Sequence, residues 1–477
     1  MKAVAEAIDW PALQSTFQGS IALPGSEEYE RARKPFIARF DELKPAAVAL
    51  CAGEGDVVTA LAFARRNEVE FAIRSGGHCF AGFSSSAGLV IDLSLMSRIR
   101  IADGQVCVGA GARIGRVHEA LAAEGLALPS GSCPSVGVGG TTLGGGLGVL
   151  GRLHGLTLDH LLSVRIVLAD GHLLEVDETR EPDLFWALRG AGGGNFGVVT
   201  EFRFEPRPAP EMTNFYLVWP YRAATAVFDA WQRAAPNWPD QIAAGLAFTS
   251  APGPQEEPLV EVFGAMVGTE SDATALLGQI AGAAGADPEP SFCKQLSYRE
   301  TCLYQAGLLD VANDQVEETP AGRLARQGCR FTKSEFFSSP LPIESVEALV
   351  RAFTADRAPG QFRGLELAPW GGAYNRVSPT ATAFAHRGEA FSLKHAVIVD
   401  PTARPEPKEA AHAWARKSWA SVHGHGSGRV YPNFPDPDLT DWEHAYYAEN
   451  YPRLQRVKAR YDPDGVFRFP HSIRLAG

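Results

Sequence analysis

Two short stretches of this chain carry side chains able to do covalent chemistry. Arg74-Ser75-Gly76-Gly77-His78 ends on an imidazole, and Gly131-Ser132-Cys133-Pro134-Ser135-Val136 places a thiol at the head of a glycine-rich loop. A thiolate and a neutral imidazole are both nucleophiles. From 131 to 151, nine of the 21 residues are glycine, so backbone N–H groups can come close to a large planar or phosphorylated ligand. Valines and leucines interleave these glycines, which sets the loop apart from a serine-rich linker. Ser75, Gly76 and Gly77 form a nest of N–H groups suited to a pyrophosphate, with Arg74 adding charge. Taken alone, His78 reads as an ordinary loop histidine; the company of Cys133 gives it a chemical role.

The elements around these loops must hold them in place. Asp56 is expected to cap a helix reaching about Asn67, followed by a strand over Phe71–Arg74 and another at 89–93. Asp103-Gly104 joins two alternating segments into a hairpin, and Asp170-Gly171 does the same between 164–169 and 172–176. Ile114, Val117 and Leu121 mark a helix that Gly125 ends. A second glycine cluster, A-G-G-G-N-F-G, precedes a strand at Val198–Phe204. A proline run at 206–210 marks a boundary. From 211 to 425 strands such as Leu259–Met266 and Phe391–Val399 alternate with helices near 223–235, 272–284, 344–354 and 408–421. The tail opens with a proline-locked extended segment at 431–438 and ends with a helix at 452–461.

Composition narrows the function classes. With 44 basic and 55 acidic residues the chain carries −11 at neutral pH and no basic run, which argues against a nucleic-acid partner. No apolar stretch is long enough to span a membrane. The seven cysteines are scattered with no Cys-x-x-Cys spacing, and the N-terminus carries acidic residues where a signal peptide needs apolar ones. A cytoplasmic protein without a metal site is expected. His423-Gly-His425 lacks the further ligands a metal would need.

The motifs R-S-G-G-H and G-S-C-P-S-V-G-V-G-G, with the trailing G-G-G-L-G, resemble the FAD-linked oxidases of the vanillyl-alcohol oxidase superfamily. The tail, Y-P-N-F-P-D-P-D-L and Y-Y-A-E-N-Y-P-R-L, resembles the berberine-bridge-enzyme group, as do W-G-G at 370–372 and T-A-F-A-H-R at 382–387. The resemblance covers nearly everything beyond residue 40. It implies an α+β fold: a PCMH-type FAD-binding domain of two α/β subdomains, and a substrate domain with an antiparallel sheet and flanking helices. The expected division is 1–208 for the FAD-binding domain, 209–425 for the substrate domain and 426–477 for a segment returning to the first.

The same resemblance assigns roles. FAD would be attached twice, through His78 and Cys133. Gly76, Gly77, Gly139, Gly140 and Thr142 would cradle its pyrophosphate, with Gly197 and Val199 against the nucleotide and Tyr431 and Asn433 completing the site. Val136 would shape the pocket where dioxygen meets the reduced ring, a fit that one methylene can alter in a packed interior. Thr141 stands where many relatives have histidine or asparagine, and its hydroxyl cannot become cationic. Phe434 replaces a tyrosine that serves relatives as base. The remaining candidates for proton transfer are Lys394, His395 if the strand register slips by one, Tyr431 and Tyr374.

The expected activity is hydride transfer from an alcohol, hemiacetal or activated C–H of a small metabolite to flavin and then to dioxygen, releasing peroxide. An intermediate of secondary metabolism fits best as substrate. The alternatives are a dehydrogenase with another acceptor, a carbohydrate oxidase, and a non-catalytic flavin-binding protein. Phe215, Tyr216, Trp219, Phe248 and Trp370 are candidates for the substrate pocket, and core packing accounts for them equally. Oligomeric state has no signature in the sequence.

Overall fold

The computed structural model describes residues 8–250, 253–310, 315–316 and 326–476. It is a mixed α+β architecture built on three main sheets. The first has the order Ser20–Ala22, Ala47–Leu50, Leu89–Asp92, Phe71–Arg74, and its last three strands run parallel. Helix Glu54–Arg66 makes the crossover between two of them. It has Glu54 and Asp56 in its first turn and Arg65 and Arg66 in its last, as the helix dipole favours, and it buries Val57, Ala60, Leu61 and Ala64. Asp56 is not its cap, because the helix starts two residues earlier, after Gly53. Its buried carboxylate instead accepts the backbone N–H groups of Gln18, Gly19 and Ala52 at 2.8–2.9 Å.

The second sheet is antiparallel, in the order Ile99–Ala102, Gln105–Gly109, Val198–Phe204, Leu161–Val167, Leu173–Asp177. Both expected hairpins are present; Asp103 and Gly104 take φ of 52° and 70°, the two positive values a tight hairpin turn requires. The two sheets share one apolar core. Val430, Tyr431, Trp442, Leu454, Val457 and Ile473 of the tail pack into it as well.

The third sheet has seven antiparallel strands, in the order Glu289–Leu296, Met212–Pro220, Leu259–Met266, Ile242–Thr249, Phe362–Pro369, Phe391–Val399, Cys329–Phe337. Helices Ala224–Ala234, Glu270–Ala284, Ile343–Thr354 and Pro405–His423 contribute apolar residues to a second core with it. Because strand side chains alternate, one face of this sheet serves that core and the other is free to wall a site. Phe215, Trp219, Phe248 and Trp370 are fully buried core residues, and Tyr216 bonds Glu261 from its own hydroxyl, so none of the five lines the pocket. All seven cysteines are unpaired. Among the described residues no helix is long and apolar enough to cross a membrane, and no cluster of side chains could hold a metal ion.

Candidate functional site

The two chemically loaded loops meet because neither has a side chain at the point of contact. A Cβ on Gly76 would lie 2.1 Å from the Gly137 nitrogen, and one on Gly137 would lie 2.3 Å from the Gly76 nitrogen. Two bare backbones therefore touch, and the residues on either side come together. Arg113 clasps the junction by donating from Nη1 to the carbonyls of Gly76 (2.6 Å) and Ser135 (2.9 Å). The Ser75 hydroxyl donates to Ala110 O at 2.6 Å and accepts from Gly139 N.

His78 and Cys133 thus flank a single hydroxyl. Ser135 Oγ is 3.1 Å from His78 Nε2 and 3.5 Å from Cys133 Sγ. Phe36 stacks on the imidazole with ring centroids 3.9 Å apart. Burial, reinforced by Arg113, pushes the His78 pKa down to about 3, so the ring is neutral and keeps a lone pair for bonding. Ser135 was not singled out in the sequence, although it lies inside the same motif as Cys133.

A cavity of about 730 Å³ opens beside this pair, between the glycine loops, the tail and the free face of the seven-stranded sheet. Ser75, Gly76, Gly77, His78, Cys133 and Val136 line it from the first two loops. Gly139, Gly140 and Thr141 line it from the short helix Val138–Gly144, Gly197 from the end of the second glycine cluster and Val199 from the strand that follows it. Tyr374, Lys394, Tyr431, Asn433 and Phe434 complete the wall. The volume lies in the range of cofactor and substrate pockets. A Cβ at Gly140 would meet nothing within 4 Å, so bare backbone faces open space there. These features fit a bound FAD: an extended groove with unhindered N–H groups, and two nucleophiles at one end.

Three candidates lie elsewhere. Arg74 is 4% exposed, and its guanidinium donates to Ser84 O, Ala32 O, Arg33 O and Ser85 Oγ, with Asp92 4.0 Å away. It braces the loop and has no reach toward a phosphate. Thr142 is fully buried behind the glycine helix, off the cavity wall. His395 points to the opposite face of its strand, where Nδ1 is 2.9 Å from Ser418 Oγ on helix Pro405–His423. Burial, then Lys333, pushes the His395 pKa down to about 3. The register that brings Lys394 to the cavity excludes its neighbour.

The tyrosines are tied to backbone. The Tyr431 hydroxyl accepts from Gly146 N (2.7 Å), Leu147 N (3.2 Å) and Asn433 Nδ2 (3.1 Å). Burial raises its pKa, against those donors. Asn433 Nδ2 also reaches Thr141 O at 2.9 Å, which joins tail to loop. Tyr374 donates to Gly148 O at 3.2 Å, and burial pushes its pKa well above the usual phenol range.

Lys394 is different. Its ammonium forms an ion pair with Glu366, directly opposite on strand Phe362–Pro369, and lies 4.9 Å over the Phe434 ring. Burial lowers the Lys394 pKa, with Glu366 opposing and Arg330 assisting. The Glu366 side chain is 45% exposed and lines the cavity. Burial raises its pKa, but Lys394 and Arg330 together outweigh that and hold it below the usual value. Neither Glu366 nor Arg330 stood out in the sequence, because their strands carry no motif and only pairing across the sheet brings them to Lys394.

Two family models match the chain: an FAD binding domain over residues 45–177, and a berberine and berberine-like segment over 430–474. An FAD-linked oxidoreductase of Bacillus subtilis is 32% identical over 95% of this chain and 96% of its own length. A chitooligosaccharide oxidase of Gibberella zeae is 30% identical (90% and 87% covered), and an aclacinomycin oxidase of Streptomyces galilaeus 31% (85% and 81%). Among solved structures, a BBE-like protein of Physcomitrella patens superposes with a TM-score of 0.88 at 25% identity, over 98% of this chain and 99% of that one. A xylooligosaccharide oxidase of Myceliophthora thermophila superposes with a TM-score of 0.84 at 26% identity, over the same shares. The glycine loops lie within the FAD binding domain match and the returning tail within the berberine-like match, and the chain belongs to the FAD-linked oxidoreductases of the berberine-bridge-like family.

Proposed function

We propose that this enzyme is an oxidase with doubly attached FAD, acting on an alcohol, hemiacetal or activated C–H of a small metabolite and passing the electrons to dioxygen. The observation that carries this reading is the pair of nucleophiles, His78 and Cys133, on either side of Ser135 Oγ in the cavity wall. When bound, FAD supplies the hydride acceptor. Each attachment would replace one C–H hydrogen of the flavin, on the 8α-methyl carbon for His78 and at ring C6 for Cys133; that hydrogen and the nucleophile's proton would leave with two electrons, which dioxygen would take as peroxide. Relatives named for oxidising chitooligosaccharide and aclacinomycin support a hydroxyl-bearing substrate.

The residues divide the remaining work. Gly76, Gly77, Gly139 and Gly140 hold the dinucleotide, and Asn433 and Tyr431 hold loop and tail together around it. Val136 leaves room for dioxygen beside Cys133. Lys394 takes the substrate proton, since it alone of the four expected candidates faces the cavity without being bound to backbone. It must shed its own proton first, which burial favours. Seven unpaired cysteines are consistent with a reducing compartment such as the cytoplasm.

The test is direct. Anaerobic mixing with a panel of alcohols, sugars and polycyclic metabolites bleaches the flavin with at least one of them, and air restores the colour with stoichiometric peroxide. Bleaching without oxygen uptake would make the enzyme a dehydrogenase, and no bleaching except by dithionite would make it a binding protein.

A further inference from the structure

The sheet wall of the cavity carries a second cationic side chain that the proton transfer does not use. Four cationic side chains line the cavity, Arg152, Arg330, Lys394 and Arg468, against one carboxylate, Glu366. Arg152 is spent on carbonyl oxygens, and Arg468 is exposed. That leaves Arg330 and Lys394 sharing Glu366 on one face of three adjacent strands.

Arg330 is 7% exposed and rigidly mounted. Its Nε donates to Thr332 Oγ1 and its Nη1 to Gln327 Oε1, each at 2.9 Å, while the guanidinium lies 4.7 Å over the Phe80 ring. Its Nη2 is buried and makes no hydrogen bond among the described residues, and the Glu366 Oε1 atom is 3.9 Å away, beyond bonding distance. A buried guanidinium edge without an acceptor is costly, and it is the donor geometry that a carboxylate fits. A wall built only to remove a proton would need one base. For the locked cation the paired carboxylate is Glu366, 3.9 Å away and also bound to Lys394, and the Arg330 Nη2 edge keeps a donor without an acceptor among the described residues.

We infer that the substrate carries a carboxylate, which Arg330 receives with Lys394 beside it. The inference deepens the reading of this cavity as the site of substrate oxidation and rests on it. Lys394 then stands next to the recognised group, so the oxidised carbon would lie within a few bonds of the acid function.

The test uses equilibrium binding to oxidised holoenzyme, read as a shift in flavin absorbance. The probes are benzoate and 4-hydroxyphenylacetate, each against its neutral amide. Both acids are expected to bind at least tenfold tighter than their amides. Arg330→Gln should remove that preference while leaving amide affinity in place, and Arg330→Lys, which keeps the charge, should restore part of it. Equal binding of acid and amide to the wild type overturns the inference. So does no response to either acid up to about 10 mM, too weak for a buried charge contact. An equal loss for acid and amide in Arg330→Gln would reduce Arg330 to packing, and loss of flavin would assign it to the cofactor; either result also overturns the inference. If Arg330→Gln does not fold, the wild-type comparison and Arg330→Lys decide. Oxygen plays no part in the readout, so failure of the oxidase reading leaves this measurement intact.

Discussion

Single side chains set the chemistry, and several can be tested one at a time. Val136 is half-buried beside Cys133, where an added methylene must intrude on the cavity. Val136→Ile is expected to slow flavin reoxidation by roughly tenfold while leaving reduction by substrate unchanged, measured by stopped-flow mixing with oxygen. Cys133→Ala should leave flavin held by His78 alone, so acid-precipitated protein stays yellow. The double variant with His78→Ala should release it to the supernatant. Lys394→Met should slow substrate-driven bleaching by about 10²–10⁴-fold, the usual worth of a positioned base, without affecting reoxidation. The sign of the pH dependence follows from the charge state. A protonated Lys394 cannot accept, so bleaching accelerates as pH rises through a pKa below that of ordinary lysine. Glu366 raises that pKa, so Glu366→Gln should move the limb to lower pH. A limb that stayed in place would remove Lys394 from the role.

At the scale of elements, the tail helix Tyr451–Tyr461 is held to the second glycine cluster by one buried cation. Lys458 Nζ donates to Asp462 Oδ2 (2.6 Å), Asn195 O (2.7 Å) and Phe467 O (2.6 Å), and the two charged side chains are 2% and 0% exposed. Asp462 also accepts from the Val466 and Phe467 N–H groups. Lys458→Met would leave that carboxylate buried beside an apolar group, at an expected cost of about 3–5 kcal/mol in urea unfolding. The tail helix and both Asp-Gly hairpins are legible because their 3.6-residue and two-residue periods are local. The start of helix Glu54–Arg66 is not legible, because Asp56 looks like a cap in sequence whereas its partners include Gln18 and Gly19, far back in the chain.

Across the whole molecule, arginines couple the flavin-binding core to the seven-stranded sheet. Arg152 leaves the glycine loop to donate to Pro236 O, Trp238 O and Trp370 O, and Arg387 pairs with Asp159 at 2.6 Å with its side chain fully buried. Arg152→Met strands those carbonyls without donors. It is expected to cost about 3 kcal/mol and to split one unfolding transition into two, followed by tryptophan fluorescence in guanidinium. The cavity lies between these coupled parts, so its shape depends on the bridge as much as on the loops.

What the sequence determined by itself was the local and compositional part. Glycine-rich loops carrying His78 and Cys133, hairpin turns at Asp103-Gly104 and Asp170-Gly171, and the proline-locked tail all announce themselves through residue type and spacing. Tertiary structure alone decided which side chains share the cavity. Arg74, with a phosphate-seeking charge in sequence, is consumed by carbonyls of a neighbouring segment, and His395 is turned away by strand alternation. Arg330 and Glu366, silent in sequence, reach Lys394 because three strands distant in the chain lie side by side. The physical reason is the same in each case. A loop's conformation is written in its own residues, whereas a side chain's partners depend on hydrogen bonds and strand register that form only after the chain has closed on itself.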